Sequence, residues 1–406
     1  MTALEPTTAG TARGQEELDR LREATRKLLA YCLENDWAGY DPYDALNSQL
    51  LDRMGLLHSK FVRLALTQGL KRCPINFRPL LRVSKTRNPK AIGLFLSALV
   101  KLSRAGLVND RPLLETLAQA LATQRSPGVE RACWGYSFPW QTRKQLVPRG
   151  APNLVCTTFA AEALLDWFEE SGEARWLDMA ASAADYLLDE LYWTDAEGRA
   201  GFSYPLPDAR TGVHNANFLG AAMLCRVSRH RANPKYREAA LKAARYSAGR
   251  QRPDGSWAYG ESSTQFWVDN FHTGFNLCAL RQIGREAQTT EFEHNVGLGF
   301  EFYMSHFFRD DGAPKYFHDQ LYPIDIHSAA QGIITLASLR DLSSEAMPLA
   351  RAVLRWTIEN LRAEEGYFYY QKRAGYTNRI SYMRWSQAWM LLALSVMLVD
   401  GVPSTR

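Results

Sequence analysis

Five stretches of this chain repeat one pattern, and that repeat limits the fold more than any other feature. They are NLVCTTFAAEALLDWF from Asn153, HNANFLGAAMLCRV from His214, HTGFNLCALRQIG from His272, HSAAQGIITLASL from His327 and RWSQAWMLLALSVML from Arg384. Each opens on polar or aromatic residues and turns into an apolar helix rich in Ala, Gly, Ser and Thr. The starts recur about every 55–61 residues, and NPKAIGLFLSALVKL from Asn88 reads as an earlier member. Small side chains let neighbouring helices approach closely. A helix that is apolar nearly all round must be surrounded by protein.

Between these stretches lie ARWLDMAASAADYLLDELY, KYREAALKAARYSAGRQ, EFEHNVGLGFEFYMSHFF and AMPLARAVLRWTIENLR, which carry charge on one face only. One hairpin cannot bury both faces of its inner helix. A ring of inner helices inside a ring of outer helices can, so the pattern predicts an all-α, closed ring of helical hairpins. From Glu16 to Glu34, Leu18, Leu21, Leu28, Leu29 and Leu33 follow helical spacing. Residues 1–15 are rich in Thr, Ala and Gly without a period and read as disordered, leaving 16–400 as one domain.

A second repeat lies in the loops. A glycine with alternating aromatics precedes the inner segments: Trp134-Gly-Tyr-Ser-Phe-Pro, Gly201-Phe-Ser-Tyr-Pro, Gly255-Ser-Trp-Ala-Tyr and Gly366-Tyr-Phe-Tyr-Tyr, with Gly312-Ala-Pro-Lys-Tyr-Phe a weaker copy. Such runs of period two predict short extended segments at one rim. They either cover the helix ends or line a groove.

Hydrophobic residues make up 46% of the 406, which is ordinary for a globular chain. The formal charge of +5 is small at this length, and no basic run points to nucleic acid. The densest basic stretch, Lys71, Arg72, Arg78, Arg82, Lys85, Arg87 and Lys90, reads as a solvated connection. The other reading is a docking patch for an anionic polymer or a membrane surface. Six scattered cysteines without a CxxC pair read as buried thiols in a reducing compartment. The start has no apolar signal core, and the run from Trp389 to Val399 is short for a membrane span, so a cytoplasmic location is expected.

These interlocked repeats resemble the six-hairpin (α/α)6 toroids. That superfamily includes glycoside hydrolases, unsaturated glucuronyl hydrolases, sugar epimerases and polysaccharide lyases; terpenoid cyclases and prenyltransferases share the shape. The block Trp37-Ala-Gly-Tyr-Asp-Pro-Tyr-Asp-Ala-Leu-Asn-Ser is also similar to one in uncharacterised bacterial proteins associated with exopolysaccharide synthesis. The resemblance implies an enzyme acting on a bacterial surface polysaccharide or its uronate-containing precursor, of epimerase, lyase or glycosidase type, with association to a synthesis complex as a further implication. One fold hosts many chemistries. The alternatives are a glycan-binding scaffold without activity and an isoprenoid-handling toroid. The latter lacks a DxDD motif and a zinc constellation here.

If the inner helices share one rim, their first residues converge there. The candidate catalytic residues are His214, His272, His327, Asp269, Asp325, Tyr382 and Arg384. Asp and Asn before a helix are ordinary N-caps, but three histidines at one repeat phase point to a functional rim. Glycoside hydrolysis would need two carboxylates, drawn from Asp41, Asp44, Glu261, Asp269, Asp319 and Asp325. Epimerisation or β-elimination beside a uronate carboxylate would need a proton acceptor and a cation, and the His, Arg and Tyr content fits that scheme better. Sugar binding wants flat aromatic faces edged by polar groups. Trp134, Tyr136, Trp140, Trp257, Tyr259, Trp267, Tyr316, Tyr369, Tyr370 and Trp385 offer faces, and Arg143, Asn217 and Arg379 offer polar edges. No metal site and no cofactor loop stand out.

Overall fold

The computed structural model describes residues 8–400 apart from Lys144. Fourteen helices occur among the described residues: α1 (Thr8–Glu34), α2 (Gln49–Arg53), α3 (Lys60–Arg72), α4 (Pro89–Arg104), α5 (Arg111–Thr123), α6 (Leu154–Ser171), α7 (Ala174–Tyr186), α8 (His214–His230), α9 (Pro234–Ala248), α10 (Asn270–Glu286), α11 (Glu293–His306), α12 (Ile326–Ser338), α13 (Ala346–Leu361) and α14 (Ala388–Asp400). Six of them form the inner ring, in the order α4, α6, α8, α10, α12 and α14, and α14 packs back on α4 to close it. The outer helices α5, α7, α9, α11 and α13 each lie on the inner helix before them. The sixth outer place is taken by α1, which packs on α14. The ring therefore has six hairpins, and its first and last helices complete each other.

Local chemistry explains the staves. Asn88, Asn153, Asp269 and Asp325 cap α4, α6, α10 and α12 by accepting backbone N–H bonds with their side chains. The small residues do what close packing requires. A Cβ on Gly93 would lie 2.8 Å from the Phe159 carbonyl oxygen, and one on Gly274 would lie 2.6 Å from Thr335 Oγ1. Short antiparallel pairs sit in the loops at the helix starts: β1 (Trp140–Gln141) with β2 (Leu146–Val147), β3 (Tyr192–Thr194) with β4 (Ala200–Phe202), and β5 (Ile324–Asp325), β6 (Gln371–Arg373) and β7 (Tyr376–Asn378) in that order.

Residues 35–88 form a strap across the same rim. Tyr40 bridges Tyr382 beside α14, Arg63 Nε donates to Gln141 Oε1 at 2.8 Å beside β1, and Tyr376 OH donates to the Arg72 carbonyl. One expectation changes here. The basic stretch is not a solvated connection throughout. Arg78 is fully buried and bonded to Asp44, and Lys90 is only 3% exposed at the ring axis, whereas Arg72, Arg82, Lys85 and Arg87 stay outside. Residues 1–7 lie outside the described residues, and helix α1 begins at Thr8, continuous with the segment whose leucines pack on the ring.

Candidate functional site

Each inner helix places its first turn differently, and the numbering after the cap decides what faces the axis. The second residue after the cap is Lys90 in α4, Phe271 in α10, His327 in α12 and Arg384 in the π turn Met383–Gln387 that leads into α14. The sixth is Phe159 in α6 and Phe275 in α10; the extra residue of the π turn puts Trp389 at the same level. Phe159, Phe275 and Trp389 touch one another with ring centroids 5.3–5.8 Å apart and form an aromatic floor across the ring. Lys90 Nζ stands over all three, 4.2 Å from the Phe159 centroid, 5.2 Å from Trp389 and 5.5 Å from Phe275. It has no carboxylate or hydrogen-bond partner among the described residues.

His327 lies on the same level. Its ring is within 4.6 Å of the Phe271, Trp385 and Trp389 rings, and neither nitrogen has a partner among the described residues. Burial pushes its pKa well down, and the charges of Lys90 and Arg384 push the same way. Burial likewise drives the Lys90 amine well below the usual lysine range, with Arg384 adding to the effect. An unpaired amine and an unpaired imidazole held this deep are costly and need an external explanation. Arg384 differs, because its guanidinium grips Asp41 in two bonds of 2.6 and 2.8 Å.

Above the floor sits a collar of tyrosines, one per loop repeat. In three of the extended loops the first aromatic goes into the core and the one two residues later stays partly accessible at the rim. Trp134 pairs in this way with Tyr136, Phe202 with Tyr204, and Trp257 with Tyr259. Tyr316 continues the collar beside Phe271, Tyr370 is fully buried against Tyr382, and Tyr43 of the strap packs on Trp385 with ring centroids 5.6 Å apart. Burial raises the Tyr136, Tyr204, Tyr259 and Tyr316 hydroxyls, that of Tyr204 to about 12, yet all four remain partly accessible. Side chains both densely surrounded and reachable mark a concave wall.

His272 is the third residue of α10 and stays 22% exposed. Asp269 Oδ1 accepts the backbone N–H of His272 at 2.9 Å, and Oδ2 accepts Nδ1–H at 2.7 Å and the indole N–H of Trp267 at 3.0 Å. That bond fixes the proton on Nδ1 and leaves Nε2 as the acceptor. Tyr259 packs on the imidazole at 4.6 Å and stacks on Trp267 at 4.7 Å. Asp325 is spent otherwise. Its oxygens accept from the His327 amide, Trp385 Nε1 and Gln371 Nε2, and burial raises its pKa.

The structure thus brings His272, Asp269, His327, Asp325, Arg384, Trp385, Tyr136, Trp267 and Tyr316 to one end of the ring. It separates others. The three histidines are not at one repeat phase: they hold the first, third and second helical positions, and each step turns a side chain by about 100°. His214 therefore points away from the axis, with Nδ1 3.2 Å from Ser247 Oγ. Trp134 and Trp257 are core residues whose indoles donate to the Leu121 and Ser247 carbonyls. Asn217 is buried, receiving the Phe202 amide and donating to Ser247. None of these three can touch a sugar. Tyr382 is fully buried against Tyr370 and Arg78, so it serves the strap. Trp140 and Arg143 ride on the β1–β2 hairpin. Tyr369 and Arg379 stack at 5.5 Å on the outer side of the rim, where Arg379 lines a separate groove with Tyr31 and Tyr367. Lys90, Tyr43 and Tyr204 are the site residues that sequence reasoning missed. Counting from the cap would have found Lys90, since Asn88-Pro-Lys aligns with Asp325-Ile-His.

The opposite mouth of the ring holds a funnel of about 240 Å³ beneath the aromatic floor. Its two carboxylates are paired: Arg226, behind the lining, bonds Asp166 and Glu162, Ser97 donates to Asp166, and Gln282 donates to Glu162. The unpaired Lys90 amine and His327 imidazole both lie on the tyrosine side of the floor, and the candidate site is placed there.

His214 gives the site a pH signature. Burial holds its pKa down at about 4, against 6.5 when free. As the pH falls from 6.5 to 4 the unfolded chain takes up a proton that the folded one refuses, so stability drops by about 3 kcal/mol from this residue alone. His327 acts in the same sense. Replacing His214 by Asn should flatten the dependence of unfolding free energy on pH in that window; a slope as steep as the parent's would place the proton uptake elsewhere.

With six closed hairpins and polar loops at one rim, the fold is that of the (α/α)6 toroids. Cellobiose 2-epimerase from Bacillus thermoamylovorans superposes with a TM-score of 0.61 at 9% identity, over 79% of this chain and 90% of that one. An unsaturated glucuronyl hydrolase specific for heparin gives 0.60 at 13% identity, over 95% and 98%. A family 76 glycoside hydrolase from a bovine Bacteroides thetaiotaomicron strain gives 0.59 at 14%, over 76% and 69%. Identities this low establish the shared architecture and no more. No family model and no curated relative matches the sequence. Among the described residues, no helix is long and apolar enough to cross a membrane.

Proposed function

We propose that this toroid is a carbohydrate-active enzyme that moves a proton beside the carboxylate of a uronate-containing sugar chain. The observation that carries this reading is the pairing, under one tyrosine collar, of an Asp-oriented histidine with an unpaired buried lysine. The collar and Trp267 offer flat faces to sugar rings. Lys90, supported by Arg384, receives the carboxylate. His272 Nε2 removes the proton from the carbon next to it, and the electron pair moves into the carboxylate, where Lys90 stabilises the second negative charge. Returning a proton to the other face of that carbon gives the epimer. Expelling the oxygen substituent one carbon further, with a proton delivered to it, gives an unsaturated sugar instead. The likeness of the N-terminal block to exopolysaccharide-associated proteins supports a bacterial surface polysaccharide or its precursor as the source of the uronate.

Glycoside hydrolysis fits less well, because it needs two free carboxyl groups. Asp41 is held by Arg384, Asp44 by Arg78 and Glu261 by Arg250, while Asp269 and Asp325 are committed to their neighbours, so of the six candidates only the exposed Asp319, beside His318, is left and no pair is formed. An isoprenoid site fits least, because the floor carries Lys90 and His327.

The test is solvent exchange. Uronate oligosaccharides incubated with the protein in deuterated water should gain one mass unit per turnover or form an unsaturated product. His272→Asn should lower that rate at least ~100-fold with little change in melting temperature, because Asp269 still caps α10. Undiminished exchange in His272→Asn would remove the histidine from the reaction.

A further inference from the structure

The strap carries a surface that the sugar site does not use. Between residues 49 and 87 there are nine Lys or Arg and one carboxylate, Asp52, in a chain whose whole formal charge is only +5. Arg53, Lys60, Arg72 and Arg82 are exposed and have no ion pair among the described residues. The same segment leaves large apolar side chains in water: Phe61 is 83% exposed, Leu80 72%, and Met54 and Ile75 61% each. Helix α3 fully buries only Thr67 and Leu70; Val62, Leu64 and Leu66 are half-buried, and Phe61 stands in water. Its C-terminal end reaches the site, where Lys71 Nζ donates to Tyr43 OH at 2.5 Å.

We propose that this strap docks the tyrosine rim onto an anionic phospholipid surface. A basic helix that holds Phe61 in water, flanked by segments that expose Met54, Ile75 and Leu80, has the mixed basic and apolar surface of segments that lie in a membrane interface. Anionic headgroups complement the unpaired cations, and acyl chains accept protruding apolar groups without a matched shape. A second copy of this chain is disfavoured, since two such basic patches repel. Nucleic acid would answer the charge but leave Phe61, Leu80 and Met54 in water. Docking would set the mouth of the cleft against the bilayer surface. It does not depend on the uronate reading, and its test needs no turnover.

The full chain should sediment with vesicles of phosphatidylcholine containing about one-third phosphatidylglycerol, and not with phosphatidylcholine alone. High salt should weaken the binding, because exposed charges are screened over about 10 Å or less. Lys60→Glu with Arg72→Glu should cut binding tenfold or more. So should Phe61→Ser with Leu80→Ser, which keeps every charge. Both pairs lie outside the site, and circular dichroism checks that each variant is folded. Equal binding to neutral vesicles, no binding, retention by the Phe61/Leu80 variant, or self-association without lipid would each overturn the proposal.

Discussion

Replacing Arg78 with Met is expected to cost about 3–5 kcal/mol of folding stability, the usual loss when one member of a buried ion pair is removed. Arg78 is fully buried. It donates to Asp44 at 2.6 Å and to the Asp41 carbonyl at 2.9 Å, and its guanidinium covers the Tyr382 ring at 4.8 Å. Without it, Asp44 is left as a carboxylate in the core of the strap. Burial already raises the Asp44 pKa to about 6, with Arg78 opposing the rise. Because the folded value exceeds the free value of 3.8, the parent loses stability as pH climbs from about 4 to 6. Removing Arg78 raises the folded value further and extends that loss to higher pH. The deficit measured by chemical denaturation should therefore narrow below pH 5, where Asp44 is protonated in both proteins. The Arg78→Met, Asp44→Asn double variant should recover part of the loss. A single variant as stable as the parent would mean that the strap is not locked by this pair.

The architecture was legible because it is repeated. Six small-residue segments at a nearly constant spacing leave one economical solution, and the clearances at Gly93 and Gly274 show why small residues were necessary. The site was legible only in part, because its geometry turns on single-residue phase. A helix start read from sequence is uncertain by a residue or two. That uncertainty is harmless for the ring, but it rotates a side chain from the axis to the outer helices, as His214 shows against His327. The loops failed for a related reason. Trp257 and Tyr259 have the same chemical appeal as sugar platforms, and only the alternation of an extended segment puts one in the core and the other on the wall. The buried cations failed for a different reason. Arg78 and Lys90 lie in what reads as a solvated basic run, and their burial depends on a strap folding back over a ring closed by helices hundreds of residues away.

Replacing Lys90 with Met should separate stability from function. The amine is buried over three aromatic rings with no counter-ion, so an apolar side chain of similar length should raise folding stability by about 1–4 kcal/mol, the range seen when buried charges give way to packed hydrophobic groups. The pH dependence follows from the direction of the shift. The folded amine titrates below its free value of 10.5, so the parent loses stability as pH falls from 10.5 through the folded value. The advantage of Lys90→Met should accordingly be largest in neutral and acid solution and fade above pH 10. Turnover of an acidic sugar should fall at least ~100-fold, while binding of a neutral oligosaccharide to the tyrosine collar should persist. The two measurements must move in opposite directions. A structural lysine, snorkelling or cross-linking helices, would give a variant that is less stable and inactive together. A residue kept for its substrate makes the protein worse at folding and better at chemistry, and that opposition is the result expected if the floor of this ring receives an anion, as proposed.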